Sequence, residues 1–384
     1  MMHRILILDN EFEMGGKEKS LFQFVARADR SRFHFAVCCL KEGGYFKSKT
    51  EAMGVPFYDG LQRHRFDAFA FLGLERVLRI ERPGLIYTFS HPNTVIFSYL
   101  AKLRGLVDRV VVSYHAMGDI GGTRQVLPYL RPLLRRADAL LAVAEVQKDY
   151  LVRDEGLPRE HIRVIHNGVD TSTFRPATTE ERASGRRELG IDDRDVVLVT
   201  VASLKALKRI DALLAAAARL HGAGAPVRVL LVGEGPERSA LESLARQLGI
   251  AERTIFAGLR DDVDRLLRAA DLFVLSSRTE AFPNVVLEAM SAGLPVVATD
   301  VGSVREMVEP GMSALVVPPG DDDALAAALA ELVSSPDRRR AFGHRGREIA
   351  MERFRIEAMC AAREALFDEL LTRAPGAASA AVAS

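Results

Sequence analysis

The chain is predicted to be an α/β protein built from two doubly wound, Rossmann-like parallel sheets, and three observations predict it. Its 384 residues are too many for one ordinary hydrophobic core. Short Val-, Ile- and Leu-rich runs recur without period-two alternation, as strands buried on both faces should. Amphipathic stretches of helical length separate these runs, which is the spacing of parallel strands wrapped by helices.

In the first half the strand candidates are RILILD (4–9), HFAVCCL (34–40), GLIYTF (84–89), RVVVSYH (109–115), ALLAVA (139–144) and IRVIHNG (162–168), with helices between them such as 16–28 and 145–154. The polar stretch DTSTFRPATTEERASGRRELGI (170–191) breaks the rhythm at Pro176 and restarts as a charged helix, so the domain boundary is placed there. Strands resume with VVLVTVASL (196–204), VRVLLVGEG (227–235), TIFAGL (254–259), LFVLSS (272–277), PVVATD (295–300) and ALVVPPG (314–320), followed by helices over 322–335 and 337–371. The expected organisation is a first domain over 1–172, a second over 173–350, a C-terminal helix over 351–372 and a disordered tail of small residues over 373–384. Ligands of such sheets sit at the carboxyl ends of the strands; two domains facing each other would place a cleft between those edges.

Composition narrows the function classes. With 48% hydrophobic and 27% charged residues the chain reads as globular. Three cysteines, Cys38, Cys39 and Cys360, are odd in number and two are adjacent, which argues against a disulfide-stapled domain and for a reducing cytoplasm. The apolar run in MMHRILILDNEF is four residues long, short for a secretion signal, and no run approaches the ~18 residues of a membrane span. Residues 1–175 carry 26 Lys and Arg against 20 Asp and Glu, whereas the remainder is net acidic. That mildly basic half suits an anionic partner, or else is screened and without consequence. RQVLPYLRPLLRRADAL (124–140), with Arg124, Arg131, Arg135 and Arg136, reads either as a helix lying on an anionic membrane or as a core-facing helix with solvated arginines. The acidic run DDVD (261–264) is read as a helix cap, not as a metal site, and no metal is expected.

The densest chemistry lies in RTEAFPNVVLEAM (278–290). Glu280 falls in the loop after a strand, Pro283 suits the first turn of a helix, and Glu288 falls inside that helix. The N–H groups of Phe282, Asn284 and Val285, with the helix dipole, form an anion site between two carboxylates. Acceptors flanking a positive helix end suit a nucleoside diphosphate bearing a sugar; an isolated pair would more simply be a loop glutamate and a helical one. Lys205, Lys208 and Arg209 in VASLKALKR (201–209) sit at another strand-to-helix edge, where a lysine neutralises phosphate or is merely solvated. Gly233 and Gly235 in VGEGPER allow close approach, as does Gly302; the third glycine of a dinucleotide fingerprint is replaced by Arg238. Gly15 and Gly16 precede the first helix, and His115 ends the strand SYHAMGD.

Taken together, Glu280, Glu288 and the following AMSAGLPVVATDVGSVRE resemble the signature of glycosyltransferase family 4, as do Gly15–Gly16, His115, HNGVDTSTFRP (166–176), the lysine of ASLKALK and the GEGP turn. The resemblance covers most of the chain. It implies a GT-B fold, with the first domain taking the acceptor and the second the nucleotide sugar. It further implies retaining transfer of a hexose-type sugar to a cell-envelope lipid, polysaccharide or other glycan, without metal or other cofactor and without nucleic acid. By position, Lys208 would balance the donor diphosphate and Glu280 would hold sugar hydroxyls near the reacting carbon. Glu288 would bind ribose, and His115 would approach the donor sugar. Gly15, Gly16, Gly233, Gly235, Phe282, Pro283, Asn284 and Val285 would line the substrates. Many relatives carry an arginine five positions before the lysine; here it is Ser203, with Lys205 two residues on. The final helix would cross back to the first domain, and the protein would be cytoplasmic, with peripheral membrane contact as an open alternative. A dinucleotide-dependent oxidoreductase and a non-catalytic nucleotide- or glycan-binding relative are the competing readings.

Overall fold

The structure, a computed structural model, describes residues 2–64, 67, 69–117 and 126–372. The tail 373–384 and Arg124 therefore lie outside the described residues. The chain divides into two compact units: one runs to Asn167 and takes the chain up again at Glu357, and the other holds Gly168–Ile356.

The first unit is a seven-stranded, all-parallel sheet of β1 (His3–Asp9), β2 (Phe33–Cys39), β3 (Phe57–Tyr58), β4 (Leu85–Phe89), β5 (Arg109–Ser113), β6 (Ala139–Ala142) and β7 (Ile162–Val164), in the order β3-β2-β1-β4-β5-β6-β7. The second is a six-stranded parallel sheet of β8 (Val196–Val201), β9 (Val227–Val232), β10 (Thr254–Gly258), β11 (Leu272–Leu275), β12 (Val296–Thr299) and β13 (Ala314–Val317), in the order β10-β9-β8-β11-β12-β13. Both follow the doubly wound order whose strand sequence reverses once. The reversal lies between β1 and β4 in one unit and between β8 and β11 in the other. Strand burial explains the unalternating runs: every residue of β4, β5, β6, β11 and β12 is buried.

Four details depart from expectation. The edge strand β3 is two residues long, too short to show a period. The single helix expected over 337–371 is two, Pro336–Arg353 and Ile356–Thr372. Between them the backbone turns to pair with Val169, which donates to the Phe354 carbonyl and accepts from Ile356 N–H at 2.8 and 3.1 Å. The Ile356–Thr372 helix packs in the first unit, where Phe367 meets Phe24 and Tyr87. The basic segment 124–140 is not one amphipathic helix where it is described. Pro128 and Pro132 restrict it to a 3-10 turn, Pro128–Leu130, and one helical turn, Arg131–Leu134. Arg131 is half-buried against Glu155, whereas Arg135 is exposed and donates to the Gly156 carbonyl. Finally, Asp262 stands at a helix start but makes no side-chain cap; its carboxylate pairs with Arg260 at 2.6 Å.

Candidate functional site

In the second unit the site is built at the reversal point. β8 ends at Val201, and a loop leads to the 3-10 turn Ala206–Lys208; Arg209 then takes the left-handed conformation (φ 48°) and opens the helix Ile210–Gly222. A non-glycine residue with positive φ needs support, and Arg209 has it in ion pairs to Asp211 and Asp322. The turn is stitched to the loop after β11: Arg278 N–H donates to the Leu207 carbonyl and Ser276 Oγ to the Lys208 carbonyl, each at 2.8 Å. These bonds deliver Lys208 Nζ to within 2.6 Å of Glu280 Oε1, which also accepts from Ser277 Oγ at 2.7 Å. Thr299 Oγ1 at the end of β12 secures the Ser277 carbonyl at 2.7 Å.

The backbone beneath Glu280 is held by Gly302. A Cβ there would sit 2.1 Å from the Glu280 carbonyl oxygen, and φ is 51°, so only glycine fits without displacement. Gly233 and Gly235 are explained by backbone as well: a Cβ on either would strike the Ala202 or Leu204 carbonyl, at 2.0 and 2.4 Å. Pro283 is the residue capping the helix Asn284–Ser291, one position earlier than a first-turn proline. At the helix start Val286 N–H bonds the Pro283 carbonyl at 2.9 Å, and the aligned peptide dipoles make this end positively polarised. Glu288 is in its interior and 5% exposed. The helix is fixed from behind by Pro336–Arg353, where a Cβ on Gly343 would lie 2.1 Å from the Gly293 carbonyl. Arg347 donates to the Ser291 carbonyl on the same side, and Phe282 packs on Phe354.

The structure thus brings Lys208, Glu280 and the 283–285 helix start to neighbouring strand ends. Ser203 and Lys205 are exposed; among the described residues neither has a side-chain hydrogen bond or ion pair to Lys208 or Glu280. The three hydroxyl residues Ser276, Ser277 and Thr299 escaped the sequence reading. Their signal was present as polar residues ending strands of otherwise apolar character.

In the first unit, Gly15 caps the helix Gly16–Arg27 at the end of β1. The next residue, Lys17, folds back onto the buried Asp9 at 2.6 Å and onto Glu18 at 3.0 Å, with its ammonium 4.7 Å from the centre of the Phe89 ring. Phe89 lies 5.5 Å from the ring of His115, whose Nε2 is 3.0 Å from Ser113 Oγ. Burial, helped by Arg363 and Lys17, holds the imidazole well below its usual pKa, so it is neutral near pH 7. Burial also pushes the Asp9 carboxyl up to about 6 against the pull of Lys17. Arg363 is buried and bonded to Ser20 Oγ and Asn167 Oδ1 at 3.2 and 3.1 Å. Asp9, Lys17 and Arg363 carried no recognisable sequence signal, because their meeting depends on strand order and on the returning helix. A cleft of about 820 Å³ opens at the same strand ends, lined among others by Asn10, Lys41, Gln62, His64, His91 and Asn93.

Two family models match consecutive parts of the chain: Glycosyltransferase Family 4 over residues 14–173 and Glycosyl transferases group 1 over 181–349. The chain belongs to glycosyltransferase family 4. It is 27% identical to N-acetyl-alpha-D-glucosaminyl L-malate synthase of Bacillus anthracis over 282 residues, 72% of each chain. It is 38% identical to D-inositol 3-phosphate glycosyltransferase of Mycobacterium sp. (strain KMS) over 206 residues, 52% of this chain and 45% of that one, so it spans about half the length of that relative. The structure of Anabaena Alr3699/HepE in complex with UDP and glucose superposes with a TM-score of 0.84 over 95% of this chain and 99% of that one, at 24% identity. WaaG, described as a glycosyltransferase involved in lipopolysaccharide biosynthesis, gives 0.74 over 96% of this chain and 100% of that one, at 18% identity. The two sheets are the Rossmann-like halves of the GT-B fold, and this family 4 member is a glycosyltransferase.

Proposed function

We propose that this family 4 enzyme transfers a hexose-type sugar, with retained configuration, from a nucleotide donor bound by the second unit to a glycan, polysaccharide or lipid-linked acceptor of the cell envelope bound by the first. The observation that carries the reading is the Lys208–Glu280 pair of 2.6 Å beside the start of the helix Asn284–Ser291. A free enzyme that holds a cation against its own carboxylate has a cation ready to turn to a more highly charged diphosphate. Its carboxylate is then free to accept sugar hydroxyls.

In the transfer, the bond from the anomeric carbon to the diphosphate oxygen breaks, negative charge grows on the leaving phosphate, and the acceptor hydroxyl oxygen bonds to the same carbon as its proton passes to the departing phosphate. Lys208 and the helix-end N–H groups stabilise that growing charge in place, with little reorganisation. Glu288 accepts from the ribose. In the first unit the cleft at the ends of β1, β2 and β4 suits an acceptor rich in hydroxyls. Asn10 Oδ1 there is buried and lacks a hydrogen-bond donor among the described residues. A neutral His115 accepts or donates a hydrogen bond without adding charge. No metal or other cofactor enters the scheme, and cytoplasmic nucleotide sugar supplies the donor.

Uridine diphosphate sugars are the first donors to test, since the Anabaena structures hold UDP and UDP-glucose. A thermal-shift panel of nucleoside diphosphates and nucleotide sugars decides it, because a ligand that binds only the folded chain raises Tm by mass action. Stabilisation by a nucleotide sugar and by its matching diphosphate supports the reading; stabilisation by reduced nicotinamide dinucleotide alone contradicts it. Against that second reading, Arg238 occupies the third fingerprint position and is engaged by Glu234 and Glu242.

A further inference from the structure

On the first unit the helix Ala70–Glu81 presents a face that stays uncovered among the described residues. Phe69, Leu72, Arg76, Arg79 and Ile80 fall within about 100° of arc at 3.6 residues per turn, and the apolar members are 78%, 49% and 63% exposed. The end of the neighbouring helix Pro92–Leu103 extends this face with Leu103, 81% exposed, and with Arg104, whose guanidinium reaches Glu75 at 2.7 Å. Arg82 follows in the left-handed conformation (φ 45°) and, with Arg79, lines a depression of about 370 Å³ that runs to Asp108. Four guanidiniums, from Arg76, Arg79, Arg82 and Arg104, therefore stand among four exposed apolar side chains. Glu75, which accepts from both Arg79 and Arg104, and Asp108 are the carboxylates among them. The Lys102 ammonium is spent on Asp138.

Exposed Phe, Leu and Ile are costly in water and are normally scattered singly. Grouped on one helix face with arginines, they have the composition of a surface that inserts side chains between lipid headgroups. We propose that this face, and not the segment 124–140, docks the enzyme on an anionic lipid bilayer. Phe69, Leu72, Ile80 and Leu103 enter the headgroup boundary, and Arg76, Arg79, Arg82 and Arg104 pair with lipid phosphates. The excess of guanidinium over carboxylate is what selects a negatively charged bilayer over a protein surface of unspecified charge.

Co-sedimentation of the full chain with phosphatidylcholine vesicles, with and without about one third phosphatidylglycerol, tests it at low and high salt. Binding to the phosphatidylglycerol vesicles alone, weakened by salt, is expected. The exposed positions tolerate change, so Phe69→Ser with Ile80→Ser, and separately Arg76→Glu with Arg82→Glu, should keep the wild-type Tm while each pair weakens binding roughly tenfold or more. Three outcomes overturn the proposal: no pelleting of the wild type with anionic vesicles, unchanged binding by both double variants, or a concentration-dependent dimer that the same substitutions abolish. None of these readouts involves sugar transfer, so the donor and acceptor assignments stand or fall separately.

Discussion

Lys208 and Glu280, 72 residues apart in the chain, meet at 2.6 Å where β8 and β11 end. Two flexible side chains are brought together because the loops that carry them are sewn to each other by the Arg278–Leu207 and Ser276–Lys208 hydrogen bonds.

Lys208→Ala and Glu280→Gln should each lower kcat/KM by about 100-fold or more, the usual loss for one preorganised charge-stabilising group, while thermal unfolding stays close to wild type. Because the two act on one donor, the double variant should lose much less than the product of the single losses. Steady-state kinetics on the four proteins checks this; strictly multiplicative losses would separate the two roles.

Ser277→Ala removes a 2.7 Å donor from the Glu280 carboxylate without touching the backbone bonds. A lost hydrogen bond to a charged group is worth about 1.5–3 kcal/mol, so a drop of roughly ten- to a hundredfold in kcat/KM is expected, and Ser277→Thr should recover part of it.

Gly302→Ala acts through the backbone. The added methyl meets the Glu280 carbonyl, and the positive φ is strained for alanine. Destabilisation of about 2 kcal/mol or more is expected, together with loss of transfer as Glu280 is displaced. Denaturant unfolding measures the first. A variant with wild-type stability would contradict the close approach.

The pH dependence of stability should carry the mark of His115. Its folded pKa is held below the ordinary 6.5 by burial, so the unfolded chain takes up a proton that the folded chain refuses. His115 therefore contributes fully above pH 6.5, and its contribution is lost as pH falls below that value, with a slope of at most about 1.4 kcal/mol per pH unit. Asp9 works the other way: its folded carboxyl, raised to about 6 from 3.8, is protonated first, so acidification through that window favours the folded state. Thermal unfolding of wild type and His115→Asn between pH 5 and 8 isolates the histidine. The variant should lose less stability on acidification.

The buried Arg186 offers a test of the fold itself. Its guanidinium bonds Asp271 and the carbonyls of Asp192 and Asp195; in Arg186→Ala, Asp271 keeps Arg182 and the Val197 N–H and the Asp192 carbonyl keeps the Asp195 N–H, while the buried Asp195 carbonyl loses this donor. A cost of about 1–3 kcal/mol is expected, read by denaturant titration.

Strand identity was legible because buried parallel strands leave unbroken Val, Ile and Leu runs, as in β4, β5 and β12. β3 was not, since two residues carry no period, and the break at Phe354 was not, since Val169, which causes it, is far away in sequence. The 124–140 segment misled because its spacing of leucines and arginines looked helical while Pro128 and Pro132 forbade the helix. In the candidate site, Glu280, Lys208 and Pro283 stood out as residue types at strand-to-helix junctions. The shell of Ser276, Ser277 and Thr299, and the Asp9–Lys17 pair beside Phe89, became visible only with the strand order.

The most direct test is a crystal structure of the enzyme with the nucleoside diphosphate that raises its Tm most. The account predicts phosphate oxygens within about 3 Å of Lys208 Nζ and of the N–H groups at 284–285, with Glu280 released from the lysine. A well-ordered nucleotide bound away from residues 280–288, with the Lys208–Glu280 bond intact, would contradict it.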